Sequence, residues 1–445
     1  MFRAFRLAIH PTKLILAFCC IFGTYLTGRV LDAIWPTADK AIVTVADDRR
    51  MSELDKFASS PGGGRHATKD WIDEQTGGRQ KVDRVGPFKL LLNYARTTIN
   101  VGTLGVLHAN PRNLVEAFRM VVMAKLWLLT MHPVYAIIFF IISLVIWSLF
   151  GGGLCRVAAL HATRDERIGL RDALGFSKGK FASFLGAPLM PVGIVILFGV
   201  LLFIAGLIGS IPAIGELLAG VFFFLALIAG IIVAFVVIGA MGGSGLMFPT
   251  IAVEGSDAFD ALSRSYSYVY QRPWRTALYV VISAIYGAIC LAFVKFFVRL
   301  ALWAVHFFVG LSMNWGSVFT QAETSDAHGK LNAIWQGPSL TGDTTFWGSF
   351  EVHNLAHVSW FAQLLFCIWI FTIVGLVGAF VVSFYYSAST LIYLLLRREV
   401  DATDLEDVYL EELPTAPSPA TAPAASEVKK EESPGDASQP AVGPS

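Results

Sequence analysis

The chain has 445 residues, of which 55% are hydrophobic and 15% are charged, and its formal net charge at pH 7 is +1. Soluble proteins carry about 25% charged residues, whereas several uncharged runs here reach the ~18–20 residues that cross a bilayer. This composition excludes an ordinary soluble protein, and the lack of a basic, aromatic-rich cluster argues against a nucleic-acid partner. We therefore predict an all-α integral membrane protein surrounded by the lipid bilayer.

The first predicted element is a transmembrane helix within residues 1–35. An apolar run that reaches Trp35 follows three basic residues, Arg3, Arg6 and Lys13. A signal peptide has a shorter apolar run and a small-residue cleavage site. We expect an uncleaved helix whose N-terminus lies in the cytoplasm.

Residues 36–132 are predicted to lie on the extracytoplasmic side. Polar residues and turn-forming glycines dominate 36–85, which indicates an irregular or mobile segment rather than a compact domain. Residues 86–107 and 111–129 have apolar side chains at helical spacing but are interrupted by charges, which predicts two amphipathic helices at the membrane surface. Pro111 suits the first turn of the second helix.

Five further spans are predicted. A duplicated region at 133–311 holds four of them, a polar extracytoplasmic loop at 312–360 follows, and the last span lies within 361–398. Glycine clusters near the ends of the second and fourth spans would allow a neighbouring helix to approach closely. These clusters are Gly151, Gly152 and Gly153, then Gly242, Gly243 and Gly245.

An internal repeat is predicted inside the duplicated region, because several residues recur at one offset (254 − 166 = 88). Glu166, Asp172, Ala173, Leu174 and Ser177 match Glu254, Asp260, Ala261, Leu262 and Ser265. Each copy is predicted to be an amphipathic helix that joins two spans on the cytoplasmic side, and each ends at a proline, Pro188 or Pro273. Both units have the same orientation, so the repeat is parallel, as in some transporters.

The carboxylates of the repeat are candidate functional residues. Glu166 and Glu254 precede the two helices, and Asp172 and Asp260 lie inside them. They could pair with basic residues of the other copy or bind a cation. Charge balance and stabilisation of the helix start are the favoured interpretation.

Lys295 and Arg299 lie one turn apart in the fifth apolar run. At mid-bilayer both would be costly and functional, for example on an anion path. A span from Thr276 ends after about 20 residues, so the favoured interpretation places the residues after Lys295 along the outer surface.

Metal and catalytic motifs are weak in this sequence. His353 and His357 have the i, i+4 spacing of zinc ligands, but Asn354 replaces the Glu of a metalloprotease motif. Interfacial histidines are favoured, and no cofactor is predicted. The five cysteines fall in apolar runs and are expected to be small buried hydrophobes. No phosphate loop or nucleophile elbow is present, so an enzyme is the least supported class.

Residues 399–445 are predicted to be a disordered cytoplasmic tail, because an acidic stretch leads into a mixture of Pro, Ala, Ser and Glu that cannot bury a core. Basic residues in both repeat loops and at Arg397 and Arg398 predict a multi-pass protein of the cytoplasmic (inner) membrane with both termini inside.

The stretch EGSDAFDALSRSYSYVYQRPWR, the glycines before it and STLIYLLLRR at 389–398 resemble a family of uncharacterised bacterial polytopic membrane proteins. That family has E-x5-D-A-L-x-x-S between spans and is broadly similar to the helical membrane region attached to some glycerophosphodiester phosphodiesterases. The resemblance covers roughly residues 130–400 and implies an architecture without an activity.

Two functions follow as hypotheses. The leading one is a non-enzymatic scaffold or accessory protein in membrane organisation, with protein partners reached through the cytoplasmic helices and tail. The alternative is a transporter or channel for a small solute or lipid. Charged side chains lining a central cavity would favour the transporter, and a closed apolar core would favour the scaffold.

Overall fold

The computed structural model describes residues 3–46, 49–60, 64–77, 82–212, 214–319, 331, 335, 360–404 and 406–409. Helices dominate this part of the chain. In order they are α1 Arg3–Ala8, α2 Pro11–Ile34, α3 Glu53–Ser59, α4 Arg65–Gly77, α5 Pro87–Leu107, α6 Pro111–Met131, α7 Pro133–Thr163, α8 Leu170–Gly179, α9 Phe181–Gly209, α10 Ile214–Glu254, α11 Ala258–Gln271, α12 Pro273–Phe319 and α13 Trp360–Val400. The strands are β1 Ala41–Ala46, β2 Arg49–Ser52 and β3 Val82–Val85.

Six helices in the described part of the chain are long and apolar enough to cross a membrane: α2, α7, α9, α10, α12 and α13. Prolines occupy the first turn of α2, α6 and α7, where their missing N–H has no helical partner to lose. The prediction of six membrane helices in a mainly α-helical chain is confirmed at this level.

One predicted helix boundary is wrong. Pro188 does not end the short helix before the third span, because both Pro188 and Pro191 lie inside α9. The break falls instead at Lys180, between α8 and α9. Neighbouring helices can satisfy the backbone groups that such internal prolines release. Pro273, in contrast, begins α12 as predicted.

The main core forms around α7, which contacts α2, α8, α9, α10 and α13. Its buried apolar residues include Leu154 and Val157 of α7, Ile251 of α10 and Ala379 of α13. Cys20, Cys155 and Cys290 are buried free thiols, and Cys19 is half-buried. Three of these four thiols are therefore buried, as the sequence predicts.

Residues 36–85 were expected to be irregular, and the structure corrects this. The strands form an antiparallel sheet in the order β2-β1-β3, with Val43 opposite both Ser52 and Asp83. Ser52 then starts α3 with a reciprocal capping box with Asp55, which stabilises the strand-to-helix turn. The sheet is held by a small core that also contains Trp127 of α6.

The two helices predicted at 86–107 and 111–129 are present as α5 and α6, and they pack against each other. Asp32, at the end of α2, caps α5: its carboxylate accepts from the backbone N–H groups of Phe88 (3.1 Å) and Lys89 (3.0 Å). Tyr135 of α7 donates to the same carboxylate at 2.8 Å. A carboxylate at a helix N-terminus stabilises it, so α5 begins at a fixed point on the bundle.

The C-terminal region also differs from its prediction. The tail was expected from Glu399, but α13 continues to Val400 and Val408 is buried. Residues 410–445 lie outside the described residues. The described residues 401–404 and 406–409, in the first part of the predicted tail, therefore fold back on the bundle, and we name them the strap.

Candidate functional site at the loop end of the bundle

The candidate carboxylates lie at the end of the bundle formed by α8, α11 and the strap, which we name the loop end. Glu254 is the last residue of α10, and three residues separate it from α11. Gly255 permits this tight exit because its φ is +65°, a left-handed conformation that costs glycine little. Below it, Arg156 of α7 donates to the Ala252 carbonyl at 2.9 Å, which satisfies a carbonyl in the last turn of α10.

Glu254 is the centre of an ionic network. Its side chain is 8% exposed and forms ion pairs with Arg264 of α11 at 2.9 Å and with Arg397 of α13 at 3.3 Å. The Tyr393 hydroxyl donates to the same carboxylate. Arg264 also contacts Asp260 at 3.2 Å. Two arginines thus neutralise a buried carboxylate and connect three helices.

Arg397 carries the network into the strap. It donates to the Asp407 carbonyl at 2.5 Å and to the Asp407 carboxylate at 3.1 Å. The Tyr409 N–H donates to the Val253 carbonyl at 2.8 Å, and the Lys180 ammonium lies 5.7 Å from the centre of the Tyr409 ring. The strap therefore contacts the regions after both α8 and α10.

Three further contacts hold the junction between α13 and the strap. The Tyr268 hydroxyl of α11 donates to Asp401, and Glu399 accepts from Tyr279 and pairs with Arg275 at 2.6 Å. Burial and the Asp401 carboxylate raise the pKa of Tyr268. Burial works to lower the pKa of Arg264, but Glu254 and Asp260 outweigh it and raise that pKa. Both groups therefore keep their protons and act as fixed hydrogen-bond donors.

Replacing Gly255 with Ala is expected to release the strap. An added Cβ would lie 2.7 Å from the Tyr409 ring, and a left-handed conformation costs a non-glycine residue about 1 kcal/mol or more. Hydrogen exchange at residues 401–409 should rise measurably. Gly175→Ala in α8 is the control, since nothing lies within 4 Å of its added Cβ. Unchanged exchange in Gly255→Ala would contradict the contact.

The first copy of the predicted repeat lacks such a network among the described residues. Glu166 and Asp172 are exposed, and neither has an ion pair within 4 Å among the residues that the structure describes. Glu166 contributes its backbone N–H to the Leu160 carbonyl at 3.4 Å. The structure therefore brings Glu254 and Asp260 together through Arg264, and leaves Glu166 and Asp172 apart from them.

The charged groups of this network pair with one another. Carboxylates and basic groups alternate from Asp260 through Arg264, Glu254 and Arg397 to Asp407, so each charged group has a neighbour of opposite sign. A cation at Glu254 would have to displace two arginines. Across the described ranges, His, Cys, Asp and Glu side chains form no cluster of three that could hold a metal.

Lys295 and Arg299 lie in the middle of α12, which continues without a break to Phe319. Lys295 donates to Asn100 of α5 at 2.9 Å, and both basic side chains are half-buried. A helix of 47 residues is about 70 Å long at ~1.5 Å per residue. It exceeds the ~30 Å of the hydrocarbon core, so part of α12 must extend beyond the bilayer.

A cysteine at position 299 is expected to react with a membrane-impermeant maleimide added from outside intact cells. Counted from Pro273, Arg299 lies 26 residues along α12, about 39 Å at ~1.5 Å per residue. Ala277→Cys, near the start of the same helix, should stay unlabelled from outside. A sealed position 299 would instead place both basic residues inside the bilayer.

The predicted histidine pair, His353 and His357, lies outside the described residues. The structure adds a polar contact that the sequence analysis missed. Lys13 is fully buried, and its ammonium donates to the Ser387 hydroxyl at 2.7 Å. Ser383, one turn earlier on α13, donates to the Ala8 carbonyl at 2.8 Å. Ser383, Ser387 and Thr390 recur at helical spacing in an apolar run, and that pattern was the available signal.

Ser387→Ala is expected to reduce the free energy of unfolding by about 1–3 kcal/mol, because it leaves a buried ammonium without this partner. Detergent-unfolding titrations of the purified protein measure the difference. Thr372→Ala on the same helix is the control, since the Thr372 hydroxyl donates to the Ile368 carbonyl of its own helix. Equal losses in both variants would mean that the Lys13 contact contributes nothing.

Comparison of the chain with known protein families, with curated proteins and with solved structures finds no match. The function is therefore inferred from the structure, above all from the contacts at the loop end.

Proposed function

We propose that this chain is a non-enzymatic scaffold of the bacterial cytoplasmic membrane. In this proposal both termini lie in the cytoplasm, the loop end forms a rigid platform there, and the segment after Tyr409 recruits protein partners. The observation that carries the proposal is the strap. Residues 401–409 are attached to α10, α11 and α13, so the segment that follows starts from a defined point.

The basic residues support the orientation. Basic residues lie beside both connections between spans. Beside the connection from α7 to α9 they are Arg164, Arg167, Arg171, Lys178 and Lys180, and beside the connection from α10 to α12 they are Arg272 and Arg275. The strap contacts the first group, because Arg164 donates to the Glu406 carbonyl (3.4 Å), and its Asp407 carbonyl accepts from Arg397 of α13. An excess of Lys and Arg beside spans favours the cytoplasmic side.

Matching packing supports the parallel repeat. Ala173 and Ala261 are both fully buried, as are Ser177 and Ser265. A Cβ on Gly152 would lie 2.8 Å from the Ser177 hydroxyl oxygen, and one on Gly243 would lie 3.5 Å from the Ser265 Cβ. In each unit a glycine of a long helix thus faces the matched serine of the short helix. We infer that duplication built one platform from two similar units, of which the second acquired the ionic network.

The alternative, a transporter or channel, has less support. The apolar core around α7 is closely packed, with Phe184, Phe248 and Tyr386 in ring contact. A groove lined by α10, α12 and α13 has no charged side chain in its lining. Solute and ion paths use polar or charged linings, so these features favour the scaffold.

The proposal is tested by proximity labelling in intact cells. The labelling enzyme is fused to the N-terminus of the full chain, of a chain ending at Tyr409, and of a chain in which residues 410–445 are scrambled. The shorter chain retains every contact described above. A scaffold predicts a set of proteins labelled by the full chain and lost from both variants, each confirmed by a reciprocal experiment.

A second arm of the test separates the platform from the segment it carries. Gly255→Ala should weaken the labelling of the same proteins while leaving the amount of membrane-inserted protein unchanged. Identical labelling by all four chains would sink the scaffold proposal. Solute-dependent thermal stabilisation together with identical labelling would favour the transporter.

A further inference from the structure

A groove of about 560 Å³ runs along the membrane helices, separate from the loop-end network. Helices α10 and α12 both pack on α13, and the groove lies between them with α13 as its floor. Its lining follows α12 from Thr276 to Leu291, 15 residues, or about 22 Å at ~1.5 Å per residue. The groove is therefore long, narrow and parallel to a spanning helix.

Small side chains create this space. Ser283 and Ala284 of α12, Ser244 of α10 and Ala388 and Ser389 of α13 line it. Ile99 and Val106 of α5 complete the lining at one side. Leu, Phe or Trp at these positions would fill the gap, so the groove results from the choice of Ala and Ser at the faces of three helices.

The walls and the surroundings indicate the occupant. The lining is apolar apart from hydroxyl groups and contains no charged side chain. Met241 and Val280, on the two rims, are 67% and 50% exposed, and their helices are among those able to span a bilayer. The medium that faces this groove is then lipid. Its volume falls within the ~300–1,000 Å³ of sites for small molecules, and its ~22 Å length exceeds one leaflet of a hydrocarbon core about 30 Å thick.

The end near Thr276 has the features of a headgroup site. Arg272, one turn before Thr276, is exposed, and the Arg272 carbonyl accepts from the Thr276 N–H at 3.0 Å. Trp274 is 86% exposed. Trp is enriched at the depth of lipid headgroups, and basic residues at that depth attract anionic lipids.

We propose that the groove binds one acyl chain of an anionic membrane phospholipid, with the lipid phosphate at Arg272. The chain enters sideways between α10 and α12 and lies against α13, and Thr276 marks the depth at which the headgroup begins. This site is independent of the scaffold function, because it shares none of the network residues Glu254, Arg264 and Arg397.

The test is native mass spectrometry of the full chain in mild detergent, titrated with phosphatidylglycerol or with phosphatidylcholine of identical acyl chains. We expect one phosphatidylglycerol to be retained after more weakly bound lipids dissociate. Ala284→Trp fills the groove and should weaken that binding at least about tenfold. Ala277→Trp is the matched control, because Ala277 is an exposed residue of the same helix outside the lining.

Two further variants distinguish recognition of the lipid headgroup from binding of the acyl chain. Arg272→Gln should reduce the preference for phosphatidylglycerol over phosphatidylcholine about fivefold, from ~1 kcal/mol per basic residue near the surface. Arg171→Gln, an exposed arginine of α8, should leave the preference unchanged. Ser283→Leu replaces Ala284→Trp if the latter unfolds. If the filled variants bound phosphatidylglycerol as tightly as the Ala277→Trp control, the proposal that the groove holds the acyl chain would be wrong. If the wild-type chain bound both lipids equally, the proposal of a phosphate site at Arg272 would be wrong.

Discussion

Glu254→Gln is expected to reduce the free energy of unfolding by about 3 kcal/mol, because it removes the buried counter-charge of Arg397 and leaves that arginine only the exposed Asp407 carboxylate. The side chains of Arg397 and Glu254 are only 11% and 8% exposed, so water can replace little of the lost interaction. Arg264 is 43% exposed and can turn toward solvent or Asp260, so its pairing contributes less. A detergent-unfolding titration of the purified protein measures the loss.

Glu166→Gln is the matched control, because Glu166 precedes α8 by four residues, as Glu254 precedes α11, but is exposed. A surface substitution of this kind changes stability by no more than ~0.5 kcal/mol. The double variant Glu254→Gln with Arg397→Gln should recover part of the loss, since it removes both charges together. If Glu254→Gln and Glu166→Gln reduced the free energy of unfolding equally, the ion pairs of Glu254 would not be what stabilises the bundle.

The membrane helices were predictable because their signal is local. An apolar run long enough to span a bilayer needs no knowledge of distant residues, and the six runs in the sequence became α2, α7, α9, α10, α12 and α13. Helix starts at Pro111 and Pro133 were also predictable, since proline fits the first turn and few other helical positions.

The small sheet was not predictable in the same way. β2 and β3 have four residues each, too few to show an alternating pattern, and glycines lie close to β3 on both sides, at Gly77, Gly78 and Gly86. Their pairing with β1 depends on α3 and Trp127, which contribute to the core beneath. The signal lies in contacts between distant parts of the chain, which composition does not reveal.

In the candidate site, Glu254 was predictable from the sequence and its buried partner was not. Glu254 stood out because a carboxylate interrupts an apolar region, but its partner Arg397 lies on α13, 143 positions later (397 − 254). From the sequence, Arg397 and Lys13 were both interpreted as basic residues that mark the cytoplasmic side of a span. Both residues serve as buried partners in the structure, and the one-dimensional charge pattern cannot distinguish these roles.

Gly152→Leu is expected to destabilise the bundle by about 3 kcal/mol, at the upper end of typical overpacking costs. A Cβ added at Gly152 would lie 2.7 Å from the Phe184 ring of α9 and 2.8 Å from the Ser177 hydroxyl oxygen of α8. Phe184 is fully buried and contacts the Phe248 ring, so it has no free volume into which to move. Leu adds three more carbons beyond that Cβ, and α8 and α9 must separate from α7.

Gly193→Leu on α9 is the control, since nothing lies within 4 Å of its added Cβ and a lipid-facing Leu costs little in a membrane helix. Unfolding titrations of both variants, with hydrogen exchange along α8, distinguish a local separation from general instability. If the close approach at Gly152 holds the short helix on the bundle, exchange in α8 rises in Gly152→Leu alone. If both variants behave alike, the glycines of α7 serve the flexibility of a long helix, and α8 is held by its other contacts.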